Sequence, residues 1–570
     1  MALVYNRDTQ RLLAAWELNP APLEQMLDMG SAPMPPPHPE ADPCYNCGFH
    51  TAIILCQQFV TAPPPKMLMP FKIPLPLLTD SYKAAHNRLY PDALKMVAYG
   101  EFRSGYNNDK TDARIVFYGL RYIIEHYVAV KYTVQDVEQA EAFFSTHNAG
   151  ATPFPFPKEL FLKFIAENDG YFPIKIIAMP EGSVVYPHVP VYQIIAEKEY
   201  SRLVTYLETI LTMVWYPSTV ATLSRRCRDI IERTYADTVD AAGEWSLASR
   251  LHDFGFRGCT SVEQSVIGGC AHLLNFEGSD TMSAAWYAQF HLNNGDPVGY
   301  SIPATEHSIM TSFRNEKLAI TRLLEQFGSG ICACVMDSYD YTAALETVLP
   351  SIAALKLEKG GVLVLRPDSG DPVKVVLQAL HAADRVFGSD LNSKGFKVLR
   401  HVGVIQGDGI TIDTLSKIVD AVQSSGFAAQ NCAYGMGGGL LQKLNRDTMS
   451  FATKLSKIVY SDGSERDVMK MPKTESGKIS LPGELKVIRN AEMVPVVYPS
   501  ETETPGPDEL IVVYDSGKTL APWDSFTTVR ERVRTQWAAA HPCPDVISAD
   551  LKKKIDRVQA TQHQENEHIQ

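Results

Sequence analysis

The stretch ICACVMDSYDYTAALETVLPSIAALKLEKGGVLVLRPDSGDP, residues 331–372, decides the fold. Its opening apolar run reads as a strand and breaks at the polar MDSYD. The pattern YTAALETVLPSIAALKLE then recurs at helical spacing. A second apolar run follows and ends in RPDSG, before the helical pattern DPVKVVLQALHAADRVF. Strand–helix units in succession imply a parallel sheet with covered faces.

The same rhythm extends in both directions from residue 250 onward. Strand candidates end in LHDFGFRG, LLNFEGSDT and GYSIPATEHS upstream, and in HVGVIQGDG and CAYGMGGG downstream. Helical patterns VEQSVIGGCAHLL, SAAWYAQFHL, KLAITRLLEQF and TIDTLSKIVDAVQSS fit between them. So many units in so short a span favour a closed (β/α) barrel over an open sheet. In such barrels the chemistry sits at the carboxyl ends of the strands, where these polar clusters fall. Earlier in the chain, FPIKIIAMPEGSVVYPHVPVYQIIAE alternates between Gly and Pro punctuation and predicts antiparallel strands. ARIVFYGLRYIIEHYV predicts a strand running into a helix, and LVTYLETILTMVWYPSTVATLSRRCRDIIERT predicts two helices broken at Pro217.

With 570 residues the chain can bury a large core, and length alone suggests about two to four domains, fewer if one is a barrel. Its 45% hydrophobic and 21% charged composition is that of a soluble globular protein. A net charge of −12 and a pI near 5.7 argue against a nucleic-acid surface, leaving room for local basic pockets that bind small anions. The ten cysteines have no framework spacing. Cys44 and Cys47 form a lone C-x-x-C, Cys332 and Cys334 lie in an apolar run, and neither pair has a second ligand pair nearby. A reducing, cytoplasmic setting is therefore expected over a zinc site. AIILCQQFV is too short to span a membrane, and the first twenty residues lack a basic-then-apolar signal, so no membrane association is expected. SAPMPPPHPEADP and TAPPPKMLMP mark residues 1–70 as a proline-rich, irregular extension, with Met67 or Met69 as alternative starts. Residues 541–570 predict a short helix and then a frayed polar tail.

Gathered on one rim, the strand ends supply Asp253, Arg257, Asp280, Glu306, His307, Asp337, Asp340, Arg366, Asp368, Asp408 and the glycines from Gly435 to Gly439. Each alone has an ordinary reading. His307 is one of fifteen histidines and could be a buried spacer. Asp337 or Asp368 could cap the helix that follows, and QGDG is a common turn. GMGGG could be a flexible loop, or could let backbone amides approach a phosphate. The combination is more telling. Arg257, Arg366 and Arg446 with a glycine nest suit a phosphorylated ligand. Asp368 and Asp408 suit ribose hydroxyls or a phosphate-bound Mg²⁺, and Phe254 suits stacking on a planar heterocycle. Together these describe nucleotide chemistry.

The series LTDSYK, VFYGL, WYPSTVAT, HDFGFRG, NFEGSDT, GYSIPATEHS, MDSYD, RPDSG, QGDG and GGGLLQKLNRD resembles, in order from about residue 74 to about residue 535, the nicotinamide phosphoribosyltransferase family. The resemblance implies an α/β protein: an irregular (β/α) barrel of the type II phosphoribosyltransferase kind over residues 201–450, with a second, β-rich α+β domain. Residues 71–200, joined by 450–540, would form that second domain. It also implies a homodimer with active sites at the interface. The implied reaction condenses nicotinamide with phosphoribosyl pyrophosphate to nicotinamide mononucleotide and diphosphate in NAD salvage. ATP would serve as coupling co-substrate and Mg²⁺ would act through the substrate phosphates.

Carried over motif by motif, the resemblance assigns roles. His307 would be the catalytic histidine that ATP phosphorylates, Asp280 would accept from the carboxamide NH₂, and Phe254 would stack on one face of the pyridine ring. Tyr82 of the partner subunit would cover the other face. Arg257 and His307 would contact diphosphate, and Arg366 and Asp368 would hold the phosphoribosyl group. Gly407, Asp408 and Gly438 would lie beside ribose and phosphate. Arg446, Lys454 and Lys470 would reach the phosphates. The chain departs from the family pattern at Thr305, Met436 and Asn445, where alanine, serine and threonine are common, and residues 1–70 have no family counterpart. A nicotinate-specific enzyme would share barrel and chemistry, but the Asp280 carboxylate would repel its substrate. A non-catalytic binding protein on the same scaffold would be expected to lack His307 or the arginines, and a barrel hydrolase would be expected to show a paired-carboxylate motif.

Overall fold

The computed structural model of the chain describes residues 72–471, 479–518 and 523–567, so the expectations for residues 1–70 lie outside the described residues. Six parallel strands, Leu251–Asp253, Gly278–Ser279, Ile331–Val335, Val362–Arg366, Val402–Gln406 and Cys432–Met436, form one sheet whose edges are the second and third of these. Single parallel bridges Gly278↔Tyr300 and Ala304↔Ala333 join both edges to the segment 300–304, and so close the ring. This seventh stave is irregular for a physical reason. Pro303 has no N–H to give a neighbouring strand, although its carbonyl still accepts from Ala333 N–H at 2.9 Å.

Helices Val262–Leu273, Glu316–Phe327, Pro372–Phe387 and Ile412–Ser424 return the chain between staves. Their N-caps are Ser261, Asn315, Asp371 and Thr411, each accepting a main-chain N–H with its side chain. After the Ile331–Val335 strand the cap is Asp340. Asp337 and Asp368 are thus relieved of capping, and the ordinary reading of each is replaced. The helical run from Tyr341 to Lys359 carries a π-helical turn, Ala344–Val348, just before Pro350, whose missing N–H removes one α-helical bond.

A second, six-stranded antiparallel sheet takes strands from both ends of the chain: Ala93–Glu101, Lys175–Ala178, Pro190–Glu197, Ala452–Tyr460, Glu465–Asp467 and Ile511–Asp515. Its central strand Ala93–Glu101 pairs Val97 with Ile195 on one side and with Lys457 on the other. Residues 73–570 form a single unit, and one continuous apolar core runs through it.

Two expectations are corrected. Pro217 does not separate two helices: it sits in the first turn of Trp215–Thr238, where its absent N–H has no intrahelical partner to lose. The break falls just before, at Met213 and Val214, after the short helix Glu208–Thr212. The C-terminal helix, expected to be short, instead runs over Ala549–Glu567. Leu551 and Val558 recur on one face and are buried, and Lys554 between them pairs with Asp467 at 3.1 Å and Glu501 at 2.9 Å. Among the described residues no helix is long and apolar enough to cross a membrane. Their seven cysteines are all free thiols.

Candidate active site

A cavity of about 710 Å³ opens at the carboxyl ends of the staves. Of the residues the sequence nominates, Phe254, Arg257, Asp280, His307, Arg366, Asp368, Gly407 and Asp408 line it. The Phe254 ring lies on two glycines, whose Cβ atoms, if added, would meet it at 2.1 Å from Gly435 and 3.1 Å from Gly407. The Arg366 guanidinium stands 5.2 Å from the centre of the same ring. Arg366 also donates to Asp368 Oδ1 at 2.8 Å, which fixes the planar guanidinium beside the cavity. Gly435 therefore serves the aromatic ring. Gly437 is the nest glycine that lines the cavity, and Gly438 begins the short helix Gly438–Leu441 beside it.

His307 is the first residue of the helix His307–Ser312, at the end of the irregular stave, and its side chain is 48% exposed. Its Nδ1 lies 3.0 Å from Ser338 Oγ. Its Nε2 faces Asp368 Oδ2 at 3.4 Å and Asp337 Oδ1 at 3.9 Å. Asp337 in turn accepts from the Asp368 N–H at 3.1 Å and from the Ser369 hydroxyl. Two carboxylates toward one nitrogen favour a proton there, which leaves the lone pair on Nδ1. Asp337 is among the strand-end candidates of the sequence but has no role there beyond a helix cap, and Ser338 is not singled out. The sequence signal for them is their position at the polar end of a stave, the same one that marks Asp368.

Asp280 presents its carboxylate to the cavity, and the Ser301 hydroxyl donates to Oδ1. The strand-end residues Glu306, Ser308, Thr281, Phe256 and Val335 complete the wall. Arg257 sits on the exposed turn Phe256–Gly258.

Tyr82, Arg446, Lys454 and Lys470 do not line this cavity. Burial pushes the Tyr82 phenol above its usual range and Glu208 and Asp80 add to this, while the Arg446 charge opposes it. Burial holds the Lys454 ammonium below the usual lysine range, helped by the Arg103 and Lys470 charges and opposed by Glu208 and Glu101. Arg103 pairs with buried Glu101 at 3.3 Å. Arg446 thus acts on Tyr82, and Arg103 and Lys470 act on Lys454 of the antiparallel sheet, with Glu208 near both groups.

Two family models and several known proteins match the chain. The nicotinamide phosphoribosyltransferase N-terminal domain matches residues 74–176, and the nicotinate phosphoribosyltransferase (NAPRTase) family matches residues 249–496. The chain is 40% identical over 462 residues to a nicotinamide phosphoribosyltransferase of Xanthomonas campestris pv. campestris (strain 8004), covering 78% of this chain and 95% of the relative. It is 31% identical over 500 residues to a protein of the same name from Acinetobacter baylyi, covering 80% and 96%. Among solved structures, human nicotinic acid phosphoribosyltransferase matches with a TM-score of 0.57 at 17% identity, covering 85% of this chain and all of that one. A nicotinate-nucleotide pyrophosphorylase from Pyrococcus furiosus matches with a TM-score of 0.56 at 15% identity, covering 84% and 99%. At these identities the structural likeness concerns the fold alone.

Proposed function

This chain belongs to the nicotinamide phosphoribosyltransferase family, and from that premise we propose that it condenses nicotinamide with phosphoribosyl pyrophosphate, giving nicotinamide mononucleotide and diphosphate. We further propose that ATP hydrolysis is coupled to this through a phosphohistidine at His307. The observation that carries the reading is one cavity wall bearing a Ser301-held Asp280 carboxylate, an aromatic ring at Phe254 and a guanidinium at Arg366. Phe254 takes one face of the pyridine ring, and Asp280 accepts from the carboxamide NH₂. The ring nitrogen already carries a lone pair and attacks the anomeric carbon without a general base. The bond to diphosphate breaks as positive charge develops on the ribose, so the leaving group must be neutralised. Arg257 and Arg366 supply positive charge there, and Asp408 on the wall is placed to meet ribose hydroxyls.

Mg²⁺ would enter on the diphosphate and supply further charge neutralisation, with Asp368 and Asp408 as the carboxylates that fit it. Among the described residues no cluster of three or more His, Cys, Asp or Glu is assembled for a metal ion.

Because Tyr82, Arg446, Lys454 and Lys470 do not line the cavity of their own subunit, we propose a homodimer whose partner completes it. Tyr82, 56% exposed on the helix Ser81–Ala85, would then cover the open face of the pyridine ring across the boundary. Met282, Trp286 and Phe290, at 78%, 57% and 54% exposure beside the cavity residue Thr281, form an unpartnered apolar stripe of the kind such a boundary covers.

Mononucleotide formation from nicotinamide or nicotinate, each with and without ATP, tests the function, with equal use of both pyridines as the result that overturns it. Asp280→Asn loses a charge-assisted acceptor, and nicotinamide kcat/KM should drop about 10- to 100-fold while nicotinate exclusion relaxes. Gly435→Ala tests the ring platform. The glycine backbone needs no special conformation, so the strain falls on Phe254, whose ring carbons would lie 2.1 Å from the new methyl group. Nicotinamide KM should rise about tenfold, with the melting temperature changing little. An unchanged KM would show that the ring has no part in binding.

A further inference from the structure

The irregular stave ends in a side-chain bond where a main-chain one is due. Ala304 bridges Ala333 in parallel register, so the Ala333 N–H donates to the Pro303 carbonyl at 2.9 Å and the Thr305 N–H to the Ala333 carbonyl at 3.0 Å. The next N–H on that edge of the strand Ile331–Val335 belongs to Val335, and a continuing parallel ladder would give it to the Thr305 carbonyl. It goes instead to the Thr305 hydroxyl, with Oγ1 accepting at 3.0 Å. The hydroxyl's own proton points to Cys334 Sγ at 3.7 Å, and that sulfur lies 3.9 Å from Met310 Sδ on the helix His307–Ser312. Thr305, Cys334, Val335 and Met310 are all buried, so the Val335 N–H has no bulk water to turn to. Thr305 is also where the chain departs from the family's usual alanine, and the device is this chain's own.

Register gives this bond its consequence. Thr305 stands two residues before His307, and Val335 stands two before Asp337 and three before Ser338. The bond therefore clamps together the two segments whose next residues meet at the rim. There His307 Nδ1 lies 3.0 Å from Ser338 Oγ, and Nε2 lies 3.9 Å from Asp337 Oδ1. The side-chain bond also frees the main chain to leave the ladder at the extended Glu306 and begin the helix that His307 opens. A buried main-chain N–H is seldom left unpaired. Without the hydroxyl the ladder would run on to the carbonyl of residue 305, drawing that peptide toward the strand and the helix start with it. We propose that Thr305 is a positioning residue for His307: its hydroxyl ends the ladder and holds the imidazole beside Ser338 and Asp337, where Nδ1 is aimed at the γ-phosphorus of ATP. In its functional half the inference rests on the reading of His307 as phosphoryl acceptor, in which the N–P bond forms as the bond to the bridging oxygen breaks and ADP leaves.

The test compares the full-length wild type with three variants. Thr305→Val keeps the shape and loses the acceptor, Thr305→Ala loses both, and Thr305→Ser keeps the hydroxyl. Three quantities are read: the rate of acid-labile label uptake from γ-phosphate-labelled ATP, the nicotinamide KM, and the His307 position in crystals of wild type and variants. Thr305→Val and Thr305→Ala should take up label about tenfold more slowly, and Thr305→Ser at close to the wild-type rate. Nicotinamide KM should stay as in wild type, because Phe254 and Asp280 follow other strands, whereas a general loss of folding would move it too. In the valine crystal the His307 ring should have left Ser338. An unmoved His307 in that crystal would overturn the proposal, and so would wild-type label uptake by the valine variant or a serine variant as slow as alanine. If the valine variant does not fold, the alanine and serine pair decides. A wild type that takes up no label would overturn the phosphohistidine reading, and the crystal comparison would then decide by itself whether Thr305 positions His307.

Discussion

His307→Ala should take up no acid-labile, base-stable label from γ-phosphate-labelled ATP, where wild type takes up close to one phosphoryl group per site. On the proposed mechanism the imidazole Nδ1 attacks the γ-phosphorus, and the bond to the bridging oxygen breaks, so that ADP leaves with the electron pair. Asp368 and Asp337, at 3.4 and 3.9 Å from Nε2, keep the proton on that nitrogen and stabilise the positive charge that develops on the ring. Alanine removes the nucleophile outright, so ATP-coupled turnover should also disappear. Slow ATP-independent synthesis should persist, because the pyridine nitrogen needs no base from the protein. Equal labelling of wild type and variant would return His307 to the class of structural histidines. Loss of all synthesis, with and without ATP, would mean that His307 serves binding more than coupling.

Mixing two inactive proteins should restore activity. Tyr82 lies outside the cavity of its own subunit and His307 lies inside, so on the homodimer proposal Tyr82→Ala and His307→Ala damage different halves of each shared site. A heterodimer of the two variants carries one site with both defects and one with neither. Random exchange in an equal mixture makes half the dimers mixed, so about a quarter of wild-type activity should return from two preparations that are each near zero. The measurement is ATP-coupled nicotinamide mononucleotide formation after incubation, with exchange verified by intact-mass analysis of the dimers. Confirmed exchange without recovered activity would remove the shared site. The same experiment with Arg446→Ala in place of Tyr82→Ala would extend the test to that residue.

The site was legible in the sequence to the extent that its residues lie at or just past strand ends. Arg366 ends a strand, Phe254, Asp280, Asp368, Gly407 and Asp408 follow one within two residues, Arg257 lies on the next turn and His307 opens a helix, and all line one cavity. Asp253 ends a strand too, but nothing local says whether such a residue faces the cavity or is buried beneath it. Its exposure depends on Thr281, on Gly269 and on the helix behind them. The role of Gly435 was hidden in the same way, because GMGGG reads equally well as a phosphate nest, and only the approach of Phe254 shows which glycine serves which purpose.

By itself the sequence determined the series of staves and helices, the antiparallel strands between residues 175 and 197, and the polar rim. Apolar period and Gly or Pro punctuation are local properties, and they act within one element at a time. The tertiary structure decided the rest. It closed the ring through two single bridges around Pro303, chose Asp340 and Asp371 as caps over Asp337 and Asp368, and folded the polar C-terminal segment as a helix on buried Leu551 and Val558. It also left Arg446, Lys454 and Lys470, nominated for the same site, off the wall of the cavity. Each of these turns on which distant backbone or side chain arrives opposite a given residue, and burial, pairing and close approach arise between elements far apart in the chain.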